Sequence, residues 1–194
     1  MHLSNCKICN DIHQHLNLLK KKYPRYYCKP VAGSGNINSK ICLIGLAPGL
    51  HGANKTGIPF TSDFSGNLIR NILKELDLED IFITNTVRCY PKNNKPSPKT
   101  ISNCQKHNFI EINKLSNIRV IITLGAVAYY QVLKLYNVNS IYNKFKHGNI
   151  VDLNEKIILI SSYHCSKLNI NTHRINKNML KKIFSQAKKV IENG

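Results

Sequence analysis

The sequence predicts an α/β protein with three layers, α/β/α, around a mainly parallel four-stranded central sheet. Two observations carry this. Four short apolar runs, near 41–46, 81–85, 119–124 and 157–162, have strand length, and the first is almost continuously apolar, as a strand covered on both faces should be. Between them lie stretches with helical spacing, and strands alternating with helices build parallel sheets. A chain of 194 residues fits a single domain, 1–194.

Taken in order, residues 7–22 read as a polar helix. Residues 23–40 read as an irregular connector with Pro24, Pro30 and the Gly33-Ser34-Gly35 turn. The first strand runs into a Gly-rich loop at 47–57, then a helix near 65–77 and the second strand. A loop holding Pro91, Pro96 and Pro98 leads to a helix near 99–115, the third strand and a helix near 126–136. A basic, irregular stretch reaches about 150. The last strand then enters a polar loop, 163–173, and a basic helix at 176–192 closes the chain. Ligand sites in such sheets lie beyond the carboxyl ends of the strands, which here gather segments 45–63, 85–98 and 162–174.

Lys and Arg total 28 against 10 Asp and Glu, a net charge of +18. That balance points to a polyanionic partner, nucleic acid first, although a chain so rich in Lys, Asn and Ile also carries the mark of A+T-rich coding drift. No apolar run reaches membrane-span length, and the first ten residues lack the basic-then-apolar pattern of a signal peptide. The expectation is a cytoplasmic protein with no membrane partner, working as a monomer. In a reducing compartment its seven cysteines read as metal ligands or buried thiols.

Cys6 and Cys9 form a C-x-x-C pair, and Cys89 and Cys104 flank the Pro-rich loop. Four thiolates of this kind hold zinc or an iron–sulfur cluster, and spacing does not separate the two. Cys42, inside a strand, reads as a core thiol, and Cys28 as a loop residue. In the first loop, Gly45 to Thr61, backbone N–H groups suit an anion or a base edge, and Phe60 offers a stacking ring. It carries neither the P-loop nor the dinucleotide spacing. In the last loop, Ser161 to Arg174, His164 stands among small polar side chains at a strand end, placed to donate to developing negative charge.

Three stretches taken together, Gly45-Leu46-Ala47-Pro48-Gly49, Thr84-Asn85-Thr86-Val87-Arg88-Cys89-Tyr90-Pro91 with Asn94-Lys95-Pro96, and Tyr163-His164-Cys165-Ser166, closely resemble the uracil-DNA glycosylase superfamily, specifically its type-5 branch. The resemblance runs from Cys6 to the last helix. It implies that family's fold, a [4Fe-4S] cluster on Cys6, Cys9, Cys89 and Cys104, and base excision from DNA containing uracil or other deaminated bases such as hypoxanthine and xanthine. By the same resemblance Phe60 stacks on the extruded base, Asn85 reads its polar edge, Ala47 and Gly49 line its pocket, and His164 bonds the base oxygen.

Related branches place an acid or amide at Leu46-Ala47 to activate water; here both are apolar. Asn54 and the backbone around Ala47 to Gly49 are the candidates for positioning water, and Asp63, the nearest acid, reads as the cap of the helix that follows. Lys55, Lys95, Lys167, Asn169 and Arg174 are candidates for gripping DNA, with Leu168 or Ile170 filling the gap in the base stack. Two departures from the family pattern stand out: Cys165 replaces a usual Pro, and His173 stands where a Gly commonly precedes the Arg. The competing readings are a non-catalytic iron–sulfur nucleic-acid-binding protein on the same scaffold, a type-4 relative, and a zinc-bound structural domain.

Overall fold

The structure, a computed structural model, describes residues 3–193. Its elements are α1 (Asn10–Lys22), β1 (Ile41–Gly45), α2 (Ala53–Thr56), α3 (Phe64–Glu75), β2 (Phe82–Asn85), α4 (Pro98–Ile112), β3 (Val120–Leu124), α5 (Ala126–Leu135), β4 (Ile150–Asp152), β5 (Ile158–Ser162), α6 (Lys167–Asn171) and α7 (Lys177–Glu192). The strands form one sheet in the order β2-β1-β3-β5-β4. β1, β2, β3 and β5 run parallel, and β4 pairs antiparallel with β5.

The predicted class therefore holds, with one strand added. β4 has three residues, of which only Val151 is buried, so it is too short to show a period and lies in the stretch read as irregular. Two short helices, α2 and α6, also stand inside segments read as loops.

Alternation along the strands divides the core in two. Leu43, Ile83, Ile122 and Ile160 face α3 and α7, meeting Ile69, Ile72, Leu180 and Phe184. Cys42, Ile44, Ile121 and Leu159 face α4 and α5, meeting Ile112, Tyr129 and Val132. Cys42 is a core thiol as expected, and burial pushes its pKa well up.

Local chemistry fixes the helix starts. Asp63, Ser97, Ser166 and Asn176 each accept a backbone N–H from the first turn that follows, and Pro98 occupies the first turn of α4, where no intrahelical N–H is needed. Among the described residues no helix is long and apolar enough to cross a membrane.

Candidate active site and cysteine cavity

A cavity of about 420 Å³ opens beyond the carboxyl ends of β1, β2 and β5. Its lining includes Ala47, Gly49, Phe60, Asp63, Asn85, Asn94, His164 and Lys167, so all three sequence segments contribute to one site.

The backbone is bent to make this possible. Phe60 has φ 51° and Ser62 φ 66°, both in the left-handed region that side-chain-bearing residues seldom adopt. Arg70 holds the strained turn from behind, donating from Nε to the Phe60 carbonyl at 3.2 Å and from Nη2 to Pro59 at 3.1 Å. Gly45, the last residue of β1, leaves the space in which Phe60 and Asn85 meet. A Cβ there would come within 2.5 Å of Asn85 Oδ1 and 2.6 Å of the Phe60 ring. Gly66 serves the same turn, because its Cβ would strike the backbone of Phe60 and Thr61.

Asp63 is the cap that the sequence predicts, with Oδ1 accepting the Gly66 N–H at 2.8 Å. It also does something that the cap reading left out: its carboxylate lines the cavity. Oδ2 lies against Gly49 and Gly52, where a Cβ would stand 2.6 and 2.0 Å away. The glycines of the first loop thus let its backbone fold tightly over a carboxylate.

Asn54, the sequence candidate for holding water, is completely buried away from the cavity. Its Nδ2 points to Cys28 Sγ at 3.5 Å, and its backbone belongs to α2, where the sequence predicts open loop. Asp63 takes its place as the polar group of that wall. Cys28 itself is a connector residue, as expected, but a buried one with φ 48°.

His164 sits across the cavity, its Cβ 3.6 Å from the position of a Cβ on Gly125. Burial lowers its pKa and the nearby Asp63 carboxylate partly offsets this, so the site favours the neutral imidazole. A neutral ring donates one N–H without carrying a charge. Asn169 holds it in place, donating from Nδ2 to the His164 carbonyl at 2.7 Å, so that amide is engaged inside the protein. Cys165, where a Pro is usual, is fully buried; its thiol is pushed up to about 12 chiefly by burial, and its carbonyl accepts from Ser65 Oγ at 3.1 Å. His173 adopts φ 55°, so the chain keeps a glycine-like conformation without the glycine.

The DNA candidates divide. Lys167 lines the cavity rim. Leu168 is 71% exposed at the tip of α6, whereas Ile170 packs on the core, so Leu168 alone is free to act as a wedge. Arg174 lies over the Tyr163 ring at 4.8 Å. Lys55 and Lys95 are exposed, and neither lines the cavity; Asn94, beside Lys95, does.

Cys6, Cys9, Cys89 and Cys104 line a second cavity of about 250 Å³ between α1, the connector and α4. Among the described residues no three His, Cys, Asp or Glu side chains meet at a point suited to one metal ion. The fit to a thiolate-held group rests on the donor set. Those four thiols share one space with Cys28, which also lines it; Asn103 Nδ2 approaches Cys9 Sγ at 3.3 Å, and the Nε2 of His107, also in the lining, is buried without a partner. Burial and the neighbouring cysteines raise the Cys89 pKa, so these sulfurs are costly as free thiolates.

Between the two cavities runs residues 85–89, pinned by a buried network that the sequence did not reveal. Arg88, 1% exposed, pairs with Glu111 at 2.6 Å, donates to Thr84 Oγ1, and reaches Asn108 Oδ1 at 2.6 Å through Nη2. Glu111 also accepts the Gly33 N–H at 2.8 Å, and Asn108 donates to the Thr86 carbonyl.

The comparisons with known proteins agree with this arrangement. The family model described as the uracil DNA glycosylase superfamily matches residues 32–188. The type-5 uracil-DNA glycosylase of Thermus thermophilus is 34% identical over 179 residues, covering 85% of this chain and 82% of that protein. The type-5 enzymes of Mycobacterium leprae (32% identical, 97% and 92% covered) and Pyrobaculum aerophilum (29%, 95% and 88%) match over nearly all of this chain. With the match running through the whole sheet and the three loops that meet at its strand ends, the chain belongs to the uracil-DNA glycosylase superfamily.

Proposed function

We propose that this protein is a monofunctional DNA glycosylase that hydrolyses the N-glycosidic bond of uracil, and of other deaminated bases such as hypoxanthine and xanthine, to begin base excision repair. The observation that carries the reading is the placement of the Asp63 carboxylate and the His164 imidazole in one cavity, with Phe60 and Asn85 in the same lining.

A base within a duplex is out of reach, so the nucleotide must be extruded, which costs a few kcal/mol and least at a mismatch. Phe60 gives the extruded base a ring to stack on, and Asn85 meets its polar edge. Leu168 fills the gap left in the stack, while Lys167, with Lys55, Lys95 and Arg174 farther out, neutralises phosphates. As the C1′–N bond breaks, its electron pair leaves with the base and positive charge grows on the sugar. His164 donates its N–H to the base oxygen, an interaction stronger in the transition state than before it. Asp63 stabilises the cationic sugar and orients a water, whose oxygen bonds to C1′. The water's proton passes to the carboxylate and on to solvent.

The four cysteines would hold a [4Fe-4S] cluster. Bound there, it supplies a tie between α1 and the 89–104 region rather than a step of the hydrolysis. Iron and sulfide analysis of brown protein tests this: Cys9→Ser loses iron and stability, and full iron retention contradicts the assignment. The same reading has a cytoplasmic protein working as a monomer, and sedimentation checks the monomer.

Alkaline strand cleavage of duplexes carrying U opposite G, U opposite A, and hypoxanthine tests the activity. Base release from the uracil substrates is expected. Intact substrates alongside DNA binding and bound iron would instead favour a scaffold kept for recognition.

A further inference from the structure

One surface cluster, beside Lys55 and along the edge of the cysteine cavity, includes cations and rings to which the proposed function gives no role. The stretch from Lys20 to Lys29 carries five cations and three tyrosines, and no Asp or Glu stands between Asp11 and Asp63. The fold gathers part of it into an ordered patch. Tyr23 and Tyr26 stack with ring centroids 4.7 Å apart, and His51 meets both edge-on at 6.0 Å, its Nδ1 2.9 Å from the Tyr26 hydroxyl. Lys22 Nζ lies 5.6 Å from the Tyr23 centroid, and Lys55 Nζ lies 5.9 Å from that of Tyr26. Lys20 caps the Tyr26 carbonyl at 2.5 Å.

The patch is joined to the base pocket. Tyr27 N–H donates to the Lys55 carbonyl and Cys28 N–H to that of Asn54, both at 3.0 Å, so the connector is zippered to the same loop that lines the cavity through Gly49 and Ala53. His51 stands between, on that loop.

Long flexible lysines on a solvated face lose entropy when they bind, and aromatic rings that restrain them reduce that cost. Here two ammonium groups are held beside a rigid stacked pair, Arg25 is exposed in the intervening turn, and the nearby chain contains no acid to neutralise them. We infer that Lys22, Arg25, Tyr23, Tyr26 and His51 form a phosphate-backbone grip for DNA flanking the extruded nucleotide. This rests on the proposed action on DNA. The ligand is the phosphodiester chain, so binding there is insensitive to base sequence and steeply dependent on salt.

The test is fluorescence anisotropy of a labelled uracil-containing duplex with the full chain, measured across a salt series. Each lost phosphate contact lowers the slope of log K against log salt by about 0.9, so Lys22→Ala with Arg25→Ala should lower it by about 2. Tyr23→Leu, which removes no charge, should lower the slope in part, because Lys22 loses its support. Lys182→Ala with Lys189→Ala, an equal charge change on the exposed face of α7, should leave the slope as it is. An unchanged slope in the Lys22 and Arg25 variant, or an equal fall in the α7 variant, overturns the grip. Base release by the wild type is followed in the same samples. Its absence would break the proposed activity, while the slope comparison would still decide the patch.

Discussion

The cysteine cavity and the base pocket are joined by residues 85–89, yet they are made by different means. In the cavity, residue type carries the chemistry: Cys104 projects from a regular helix, Cys9 precedes the first turn of α1, and Cys6, Cys9, Cys89 and Cys104 lie outside the left-handed region, which among the lining cysteines only Cys28 enters. In the pocket, much of the work falls to the backbone. Phe60 and Ser62 take left-handed φ values, and glycines at 45, 49, 52 and 66 mark places where a Cβ would strike a functional group or the strained turn. The first region should therefore fail when a ligand or its support is removed. The second should fail when a single methyl group is added.

The largest effect tests what separates them. Glu111→Ala leaves Arg88 buried and unpaired, and should cost about 3–5 kcal/mol, read as a fall in the denaturation midpoint. A loss no larger than that of a surface variant would mean that the network does not hold residues 85–89. Gly45→Ala is the methyl test. Crowding Asn85 and Phe60 should cost about 1–3 kcal/mol at the pocket, lowering single-turnover excision about tenfold while the iron content of the protein stays at the wild-type level. Wild-type rates in that variant would show that the two side chains have room to spare.

A milder effect follows from pH. Burial lowers the pKa values of His147 and His164 below the ordinary 6.5. The neutral rings cost nothing above 6.5. As pH falls below it the unfolded chain takes up protons first, so stability declines towards the lower folded values. Melting curves from pH 8 to pH 5 should be flat and then fall; a rise on acidification would reverse the sign. Smallest is His173→Gly, which relieves a left-handed φ and should stabilise the fold by about 1 kcal/mol, seen as a raised Tm.

This contrast also explains what could be read from the sequence. The four long strands and the helices between them were legible because both faces of the sheet are buried, and continuous apolar runs with short loops give that away. β4 was not, since one buried Val151 in three residues has no period. Type and spacing single out the four cysteines, and motifs single out Phe60, Asn85 and His164; the structure brings each group to one cavity. Asp63 was visible only as a cap, because a cap fully accounts for an Asp three residues before Gly66. Its second task depends on Gly49 and Gly52 folding over Oδ2, which no local pattern encodes. Asn54 misled for the converse reason: a polar residue in a Gly-rich loop looks available, and the turn of α2 buries it against Cys28. Arg88 and Glu111, far apart in the chain, pair only once α4 is laid against β2.

The most direct measurement compares wild type and Asp63→Asn in single-turnover release of uracil from a U·G duplex. Asn caps a helix as well as Asp does, so the variant keeps the start of α3 while losing the carboxylate that lines the cavity. An unchanged Tm with a fall of about 10²–10⁴ in rate is the predicted result. Equal rates in the two proteins would contradict the account, leaving Asp63 a helix cap and nothing more.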